Sequence, residues 1–299
     1  MKEKYEISVI CLTYNSPLQK LKTTLDSILK QEDISMELII ADDGSLDNHR
    51  RDIEEYFINK NFTDYKLVLN EENRGTVCSL LSGMLVAEGE YYKGISPGDR
   101  LYEKDTLKKW LHFVKKNNIK WSFSDAFYYQ TNGEKEEYLR GVAHPQNLKP
   151  YYSTDMKDRI WNYVVLKDCA LGAAIISKTD ITLAYLKRIQ KKGVKYAEDY
   201  TYIVMMFDGI PGYYYPESAI LYEYGSGIST NKEKKWLDRI LHDIDLTDEV
   251  LKDTEKPDEF QKKMLRYLGR HVSLLTKITT KGKIASYMCK KFFPRRTKA

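Results

Sequence analysis

A chain of 299 residues, 42% hydrophobic and 30% charged, can bury one large α/β core with an appendage, or two smaller ones. The net charge of +5 is too mild to mark a nucleic-acid binder, and residues 280–299 carry bases and no acid, so the remainder is slightly acidic. The four cysteines lie far apart with no CxxC or Cys/His spacing, MKEKYEISVI lacks the apolar stretch of a signal peptide, and there is no run of 18 apolar residues; neither a disulfide framework nor a zinc site is suggested, no membrane span is predicted, and a reducing, cytoplasmic compartment is expected.

YEISVICLT (5–13) reads as a buried strand, and Pro17 opens a helix carrying the stripe Leu18, Leu21, Leu25, Ile28, Leu29. MELIIA (36–41) is a second strand, followed by DDGSLD and a polar amphipathic helix over 47–59. YKLVL (65–69) is a third strand, followed by NEENRG and a helix over 76–87. A fourth strand over 90–95 ends at SPGD; a helix over 103–116 and a strand over 120–127 follow. Residues 129–168 show no clear period. Farther on, CALGAAIIS (169–177) reads as a buried strand, 179–192 as a helix, the segment from Glu198 as a helix, and PGYYYPESAILYEY as a strand or hairpin. Residues 232–276 read as two helices. Cys11 and Cys78, inside apolar runs, are expected to be buried.

Alternating strands and helices with short connections predict an α/β fold: a mostly parallel sheet with helices on both faces. In such sheets ligands bind outside the carboxyl ends of the strands, and TYNSP, DDGSLD and SPGDR all fall on that edge. The edge carries neither GxGxxG nor GxxxxGK[ST], so no dinucleotide fingerprint or phosphate loop is present. A carboxylate at the end of the second strand, Asp42 or Asp43, can accept hydrogen bonds from a base N–H or a ribose hydroxyl; an Asx-turn capping the next helix is the structural alternative.

Taken in order, TYN, ADDGSLD, NRG, an Asp-containing turn and a distant AEDY resemble the inverting glycosyltransferase family 2, of the GT-A fold, over roughly residues 5–230. The resemblance implies a nucleotide half over 1–128, an acceptor half over 129–230 and a helical C-terminal extension over 231–299. It implies that Asp42 and Asp43 hold the nucleotide of a UDP-sugar, that Thr13, Tyr14 and Asn15 shape its pocket, and that Asn73 and Gly75 lie close to it. The family's metal-binding turn usually holds two acids. Here it reads Ser96-Pro97-Gly98-Asp99, which leaves Asp99 as the ligand of Mn²⁺ or Mg²⁺, with Ser96 beside the donor. Glu198-Asp199 resembles the family's catalytic pair, which implies Asp199 as general base and Glu198 either orienting it or bonding the acceptor; a helix-first-turn pair favoured by the dipole is the structural alternative.

The resemblance implies transfer of one sugar to a glycan or lipid-linked acceptor. QxxRW is absent, which disfavours processive synthesis. A non-catalytic binder with the same fold, which the thinned SPGD turn favours, and a nucleotidyltransferase are the competing readings. The basic, aromatic tail over 280–299 suits an anionic membrane surface, so the expected location is cytoplasmic and peripheral on the inner face. The C-terminal helices leave pairing with a second copy open.

Overall fold

The computed structural model describes residues 4–132, 135–225, 227 and 234–268; the tail expected at the membrane lies outside them. Strand and helix alternate through β1 (Tyr5–Thr13), α1 (Leu18–Leu29), β2 (Met36–Asp42), α2 (Arg50–Asn59), β3 (Tyr65–Leu69), α3 (Thr76–Leu85) and β4 (Gly89–Ile95). Then come β5 (Arg100–Leu101), α4 (Thr106–Lys116), β6 (Trp121–Asn132), β7 (Lys135–Leu139), α5 (Lys149–Tyr152) and α6 (Met156–Val164). The chain continues with β8 (Ile175–Lys178), α7 (Thr179–Lys191), α8 (Thr201–Phe207), β9 (Tyr213–Glu223), α9 (Lys234–Lys252) and α10 (Glu259–Leu265).

One sheet runs in the order β3-β2-β1-β4-β8-β6-β9-β5, with β7 added to β6. The first half is parallel throughout, because β1 pairs with both β2 and β4, and β2 with β3. The loops after β1, β2, β3 and β4 therefore leave from the same edge, as the strand–helix alternation predicts. The second half mixes directions: β8 is antiparallel to β4 and β6, while β9 is parallel to β6.

Side chains alternate across a strand, so Val9 and Cys11 face one side while Ile10 faces the other. On the first side, Ile7, Val9, Leu38 and Ile40 pack against Leu21, Leu25 and Ile28 of α1, Phe57 of α2 and Trp110 of α4. On the second, Ile10, Ile39 and Ala41 pack against Val77, Leu80 and Met84 of α3 and against the helices α6 to α8. Burial of each such Leu or Ile is worth about 2 kcal/mol, more than helix propensity supplies, so these stripes fix the helices. Val250 and Leu251 of α9 and Met264 of α10 belong to the same second-side cluster, so the C-terminal helices share the core of the sheet.

Several boundaries differ from the sequence reading. The run 169–177 is not one strand: Gly172–Ala174 form a 3-10 turn, and only Ile175–Lys178 are extended. Its apolar residues Leu171 and Ala173 line a cavity instead of a sheet. PGYYYPESAILYEY forms a single strand, β9, beside β6, with a register shift around Asp125 opposite the Pro216 region. The helix expected from Glu198 starts at Thr201, after a 3-10 turn over Glu198–Tyr200. Residues 129–168, aperiodic in sequence, supply the end of β6, β7, α5 and α6. Cys11 is fully buried, whereas Cys78 on α3 is only partly so.

Candidate active site

The loops at the carboxyl edge are tied to one another before they meet any ligand. Thr13 Oγ1 donates to Asp42 Oδ1 (2.9 Å), and Asp42 also accepts from Ser45 N (2.8 Å) and Ser45 Oγ (2.5 Å). Asn15, in left-handed backbone at φ 46°, donates its N–H to Ser45 Oγ (2.6 Å), and its Oδ1 accepts from Leu46 N (3.0 Å). Asp43 reaches the third loop: its two oxygens accept from Arg74 N (3.0 Å) and Gly75 N (2.9 Å). Burial pushes the Asp43 carboxyl above its ordinary value, and those two N–H groups pull the other way.

A cavity of about 680 Å³ opens over these loops. Thr13, Tyr14, Asp43, Asn73, Thr76, Ser79, Ser96, Asp99, Glu198 and Asp199 all line it, and Tyr14 offers a half-exposed ring at the rim. Three residues expected to meet the nucleotide do not line it. Asp42 is buried with its oxygens turned onto Thr13 and Ser45; Asn15 and Gly75 act through the bonds just given. Their work is to hold the loops that carry Tyr14 and Asp43.

The turn after β4 is built around Asp99, which is 4% exposed. Asp99 Oδ1 accepts from Glu223 N (3.0 Å), and its carbonyl accepts from Thr24 Oγ1 (2.7 Å). Burial pushes the Asp99 carboxyl up to about 7, against the pull of the Glu223 N–H and of Lys93. Lys93 is buried below, with its ammonium donating to the carbonyls of Gly94 and Ala173. Gly98 stands where the family's turn often has an acid. Its φ is +104°, and a Cβ there would collide with the Glu223 carboxylate, which Lys20 holds through both oxygens at 2.7 Å. The space beside Gly98 is already taken by a carboxylate from β9.

A divalent cation fits this turn only in part. Among the described residues, no group of three or more His, Cys, Asp or Glu is placed to hold one. Asp99 does face the cavity, and a cation beside it would relieve the burial of its charge. An ion here would take Asp99 as its protein carboxylate and its remaining ligands from phosphate oxygens and water.

Glu198 and Asp199 line the same cavity, on a segment tied to the third loop by Val77 N donating to the Lys195 carbonyl (3.0 Å). Thr76 donates its hydroxyl to Glu198 Oε2. Burial raises both carboxyls; the charge of Asp199 raises Glu198 further, to about 8, while the hydrogen bond from Glu198 pulls Asp199 down. Burial and mutual repulsion thus favour a proton held on the pair. Gly172 packs directly on this pair: a Cβ there would lie 2.7 Å from Asp199 Oδ1.

The model of the family described as Glycosyl transferase family 2 matches residues 8–181. The chain belongs to glycosyl transferase family 2. It is 28% identical over 211 residues to the uncharacterized glycosyltransferase MG025 of Mycoplasma genitalium, covering 62% of this chain and 67% of that protein. It is 30% identical over 118 residues to the putative teichuronic acid biosynthesis glycosyltransferase TuaG of Bacillus subtilis, covering 40% of this chain and 45% of TuaG. Among solved structures, S. aureus TarS 1-349 in complex with UDP-GlcNAc superposes with a TM-score of 0.57 at 17% identity, over 90% of this chain and 73% of TarS. The mannosyltransferase PcManGT of Pyrobaculum calidifontis, in complex with GDP-Man and Mn²⁺, superposes with a TM-score of 0.60 at 15% identity, over 88% of this chain and 68% of that one. The fold is GT-A, as the ordered motifs imply, and a nucleotidyltransferase is set aside.

In this glycosyltransferase several cavity residues escaped the sequence reading: Tyr196, Gly172, and Lys235, Trp236 and Arg239 of α9. Asp243, also on α9, accepts from three consecutive N–H groups, those of Lys195 (3.2 Å), Tyr196 (2.6 Å) and Ala197 (3.1 Å), immediately before the acid pair. One signal was available: 235, 239 and 243 fall on a single stripe at i, i+4, i+8 of a charged helix.

Proposed function

We propose that this glycosyltransferase moves one sugar from a UDP-sugar to a hydroxyl of a glycan or lipid-linked acceptor, with inversion, in the synthesis of a cell-surface polysaccharide or glycolipid. The observation that carries the reading is one cavity lined by Asp43 on the second loop, Asp99 at the turn after β4 and Asp199 before α8. TarS structures with UDP and UDP-GlcNAc, and the teichuronic acid assignment of TuaG, support a UDP donor and a surface-polymer product.

Asp43 keeps lone pairs beyond the two N–H groups it already binds, enough to accept from a uracil N–H. Tyr14 offers a ring face to the base. Asp99 would hold Mn²⁺ or Mg²⁺, which when bound supplies positive charge to the leaving diphosphate. An acceptor hydroxyl is far too weak an acid to ionise alone, so a base must take its proton as the new C–O bond forms. Asp199 is that base. Glu198, raised by burial and by the charge of Asp199, stands beside the base and is itself oriented by Thr76. Gly172 leaves Asp199 the room to sit at the cavity floor. Attack from the side of a single base, opposite the leaving UDP, inverts the anomeric carbon. The proposed place of work is the cytoplasmic face of the membrane, where the basic, aromatic segment over 280–299 suits anionic lipid.

Asp199→Asn tests the reading. It should lower transfer by about 10³-fold, the usual weight of a general base, with UDP affinity unchanged. Retained transfer in the variant would remove Asp199 from the chemistry, and wild-type transfer undiminished in excess chelator would remove the cation.

A further inference from the structure

A second, smaller cavity of about 50 Å³ adjoins the acid pair, and Glu198 and Asp199 line both spaces. Tyr92 of β4 and Tyr202 of α8 line the small cavity only. They are 5% and 3% exposed, and their hydroxyls share one hydrogen bond of 2.5 Å. Two hydroxyls bring two protons to this contact, and the contact uses one. The second O–H makes no hydrogen bond to any other described residue. A buried O–H without a partner is costly, so this one requires an acceptor.

The acceptors around the small cavity narrow the choice. The carbonyls of Gly94 and Ala173 already accept from the Lys93 ammonium, and Glu198 Oε2 accepts from the Thr76 hydroxyl. Ser96 is neutral and the weaker acceptor. Asp199 is bonded by Glu198 and by no other side chain among the described residues. Charge points the same way: the Tyr92 hydroxyl feels the charges of both acids, and the Tyr202 hydroxyl feels that of Asp199. The space between has room for a bridging water, which needs roughly 10–15 Å³ and polar partners on both sides.

We propose that the free O–H of the Tyr92–Tyr202 pair donates, through one water in the small cavity, to Asp199, which makes both tyrosines positioning residues for the base. This rests on Asp199 as the base. The bond orients the carboxylate and favours its ionised form against the burial that raises it. Besides Glu198 and these two tyrosines, the titratable groups that feel the Asp199 charge are Tyr163 of α6, Cys169 and Tyr200. Burial pushes all three far above neutrality, so they keep their protons.

The test is a ¹³C NMR titration of the full chain labelled at its aspartate and glutamate carboxyl carbons. Asp199 and Glu198 are identified by the signals lost in Asp199→Asn and Glu198→Gln. The wild type is compared with Tyr92→Phe, Tyr202→Phe and Tyr151→Phe; each keeps the ring and removes a hydroxyl, and Tyr151 is buried away from the small cavity. The step in which Asp199 ionises should move up by about 0.5 to 1 pH unit in whichever variant loses the free O–H, by less in its partner, and not in Tyr151→Phe. An unmoved step in both Tyr92→Phe and Tyr202→Phe would overturn the proposal. Equal movement in Tyr151→Phe would overturn it too, because the effect would then belong to packing. The titration needs no substrate, so it stands apart from the donor reading. The acid limb of kcat/KM for slow UDP-sugar hydrolysis should move with it; a moved titration with an unmoved limb would leave the hydrogen bond standing and overturn Asp199 as the base instead.

Discussion

The two walls of the cavity are held by different means. On the wall proposed to bind the donor, residues 13–75 come from adjacent parallel strands, and their loops are knotted by hydrogen bonds that Asp42, Asp43 and Asn15 accept. The wall proposed to carry the base is assembled from distant segments: Gly172, residues 195–199 and α9, held by the close approach of Gly172 to Asp199, by the N–H groups that donate to Asp243, and by contacts of residues 195 and 198 with Val77 and Thr76. The topology alone nearly dictates the first wall. The second depends on fit between elements that the sheet does not place side by side. A change on the donor wall should therefore act on UDP affinity, and one on the catalytic wall on turnover.

The largest break of that contrast is Gly172→Ala. The added Cβ cannot share space with the Asp199 carboxylate, and displacing a reacting group by about 1 Å costs roughly 100-fold in turnover; kcat should fall by about that much with the UDP Kd unchanged, as steady-state rates and calorimetry would show. On the other wall, Asp43→Ala removes a carboxylate that anchors the third loop and lines the cavity. The UDP Kd should rise by about 10- to 100-fold, the weight of a hydrogen bond to a charged group, and single-turnover rates at saturating donor should change far less. Asp243→Asn comes next: one amide oxygen replaces a carboxylate accepting three N–H groups, and kcat should fall about tenfold with UDP binding intact. Equal loss of UDP affinity in the Gly172 and Asp43 variants would erase the distinction.

The smallest effect concerns the proton on Glu198. Its carboxyl is raised from 4.5 to about 8 by burial and by Asp199, so the folded chain binds a proton there that the unfolded chain has released. Native stability from this group is fully present below about pH 4.5 and is lost as pH rises through about 8. Glu198→Gln mimics the protonated acid. Its Tm should lose less than the wild type's between pH 5 and pH 8, by about a few degrees, and its turnover near neutrality should fall by only about severalfold. An unchanged Tm profile in the variant would mean that Glu198 does not hold the proton.

Legibility in the sequence follows the same division. The parallel half of the sheet is written in periodic apolar runs, and each polar loop is placed by the strand before it. TYN, DDGS, NRG and SPGD could thus be brought together with no coordinates. Asp42 was misplaced because a strand-end carboxylate looks the same whether it faces a ligand or a neighbouring hydroxyl; only Thr13 and Ser45 decide it. Gly172 was hidden inside an apolar run that reads as strand, since nothing in CALGAAIIS says that Asp199 packs there. Glu223, which fills the space beside Gly98 from β9, and Asp243, which anchors the catalytic loop from α9, act across long sequence separations that periodicity does not encode.

The most direct measurement is the anomeric configuration of the sugar released when the full chain slowly hydrolyses an α-linked UDP-sugar in Mn²⁺, followed by proton NMR before mutarotation. With Asp199 the only base and attack opposite the leaving UDP, the first product should be the β-anomer, and Asp199→Asn should release none. The α-anomer as first product would contradict the single-base account.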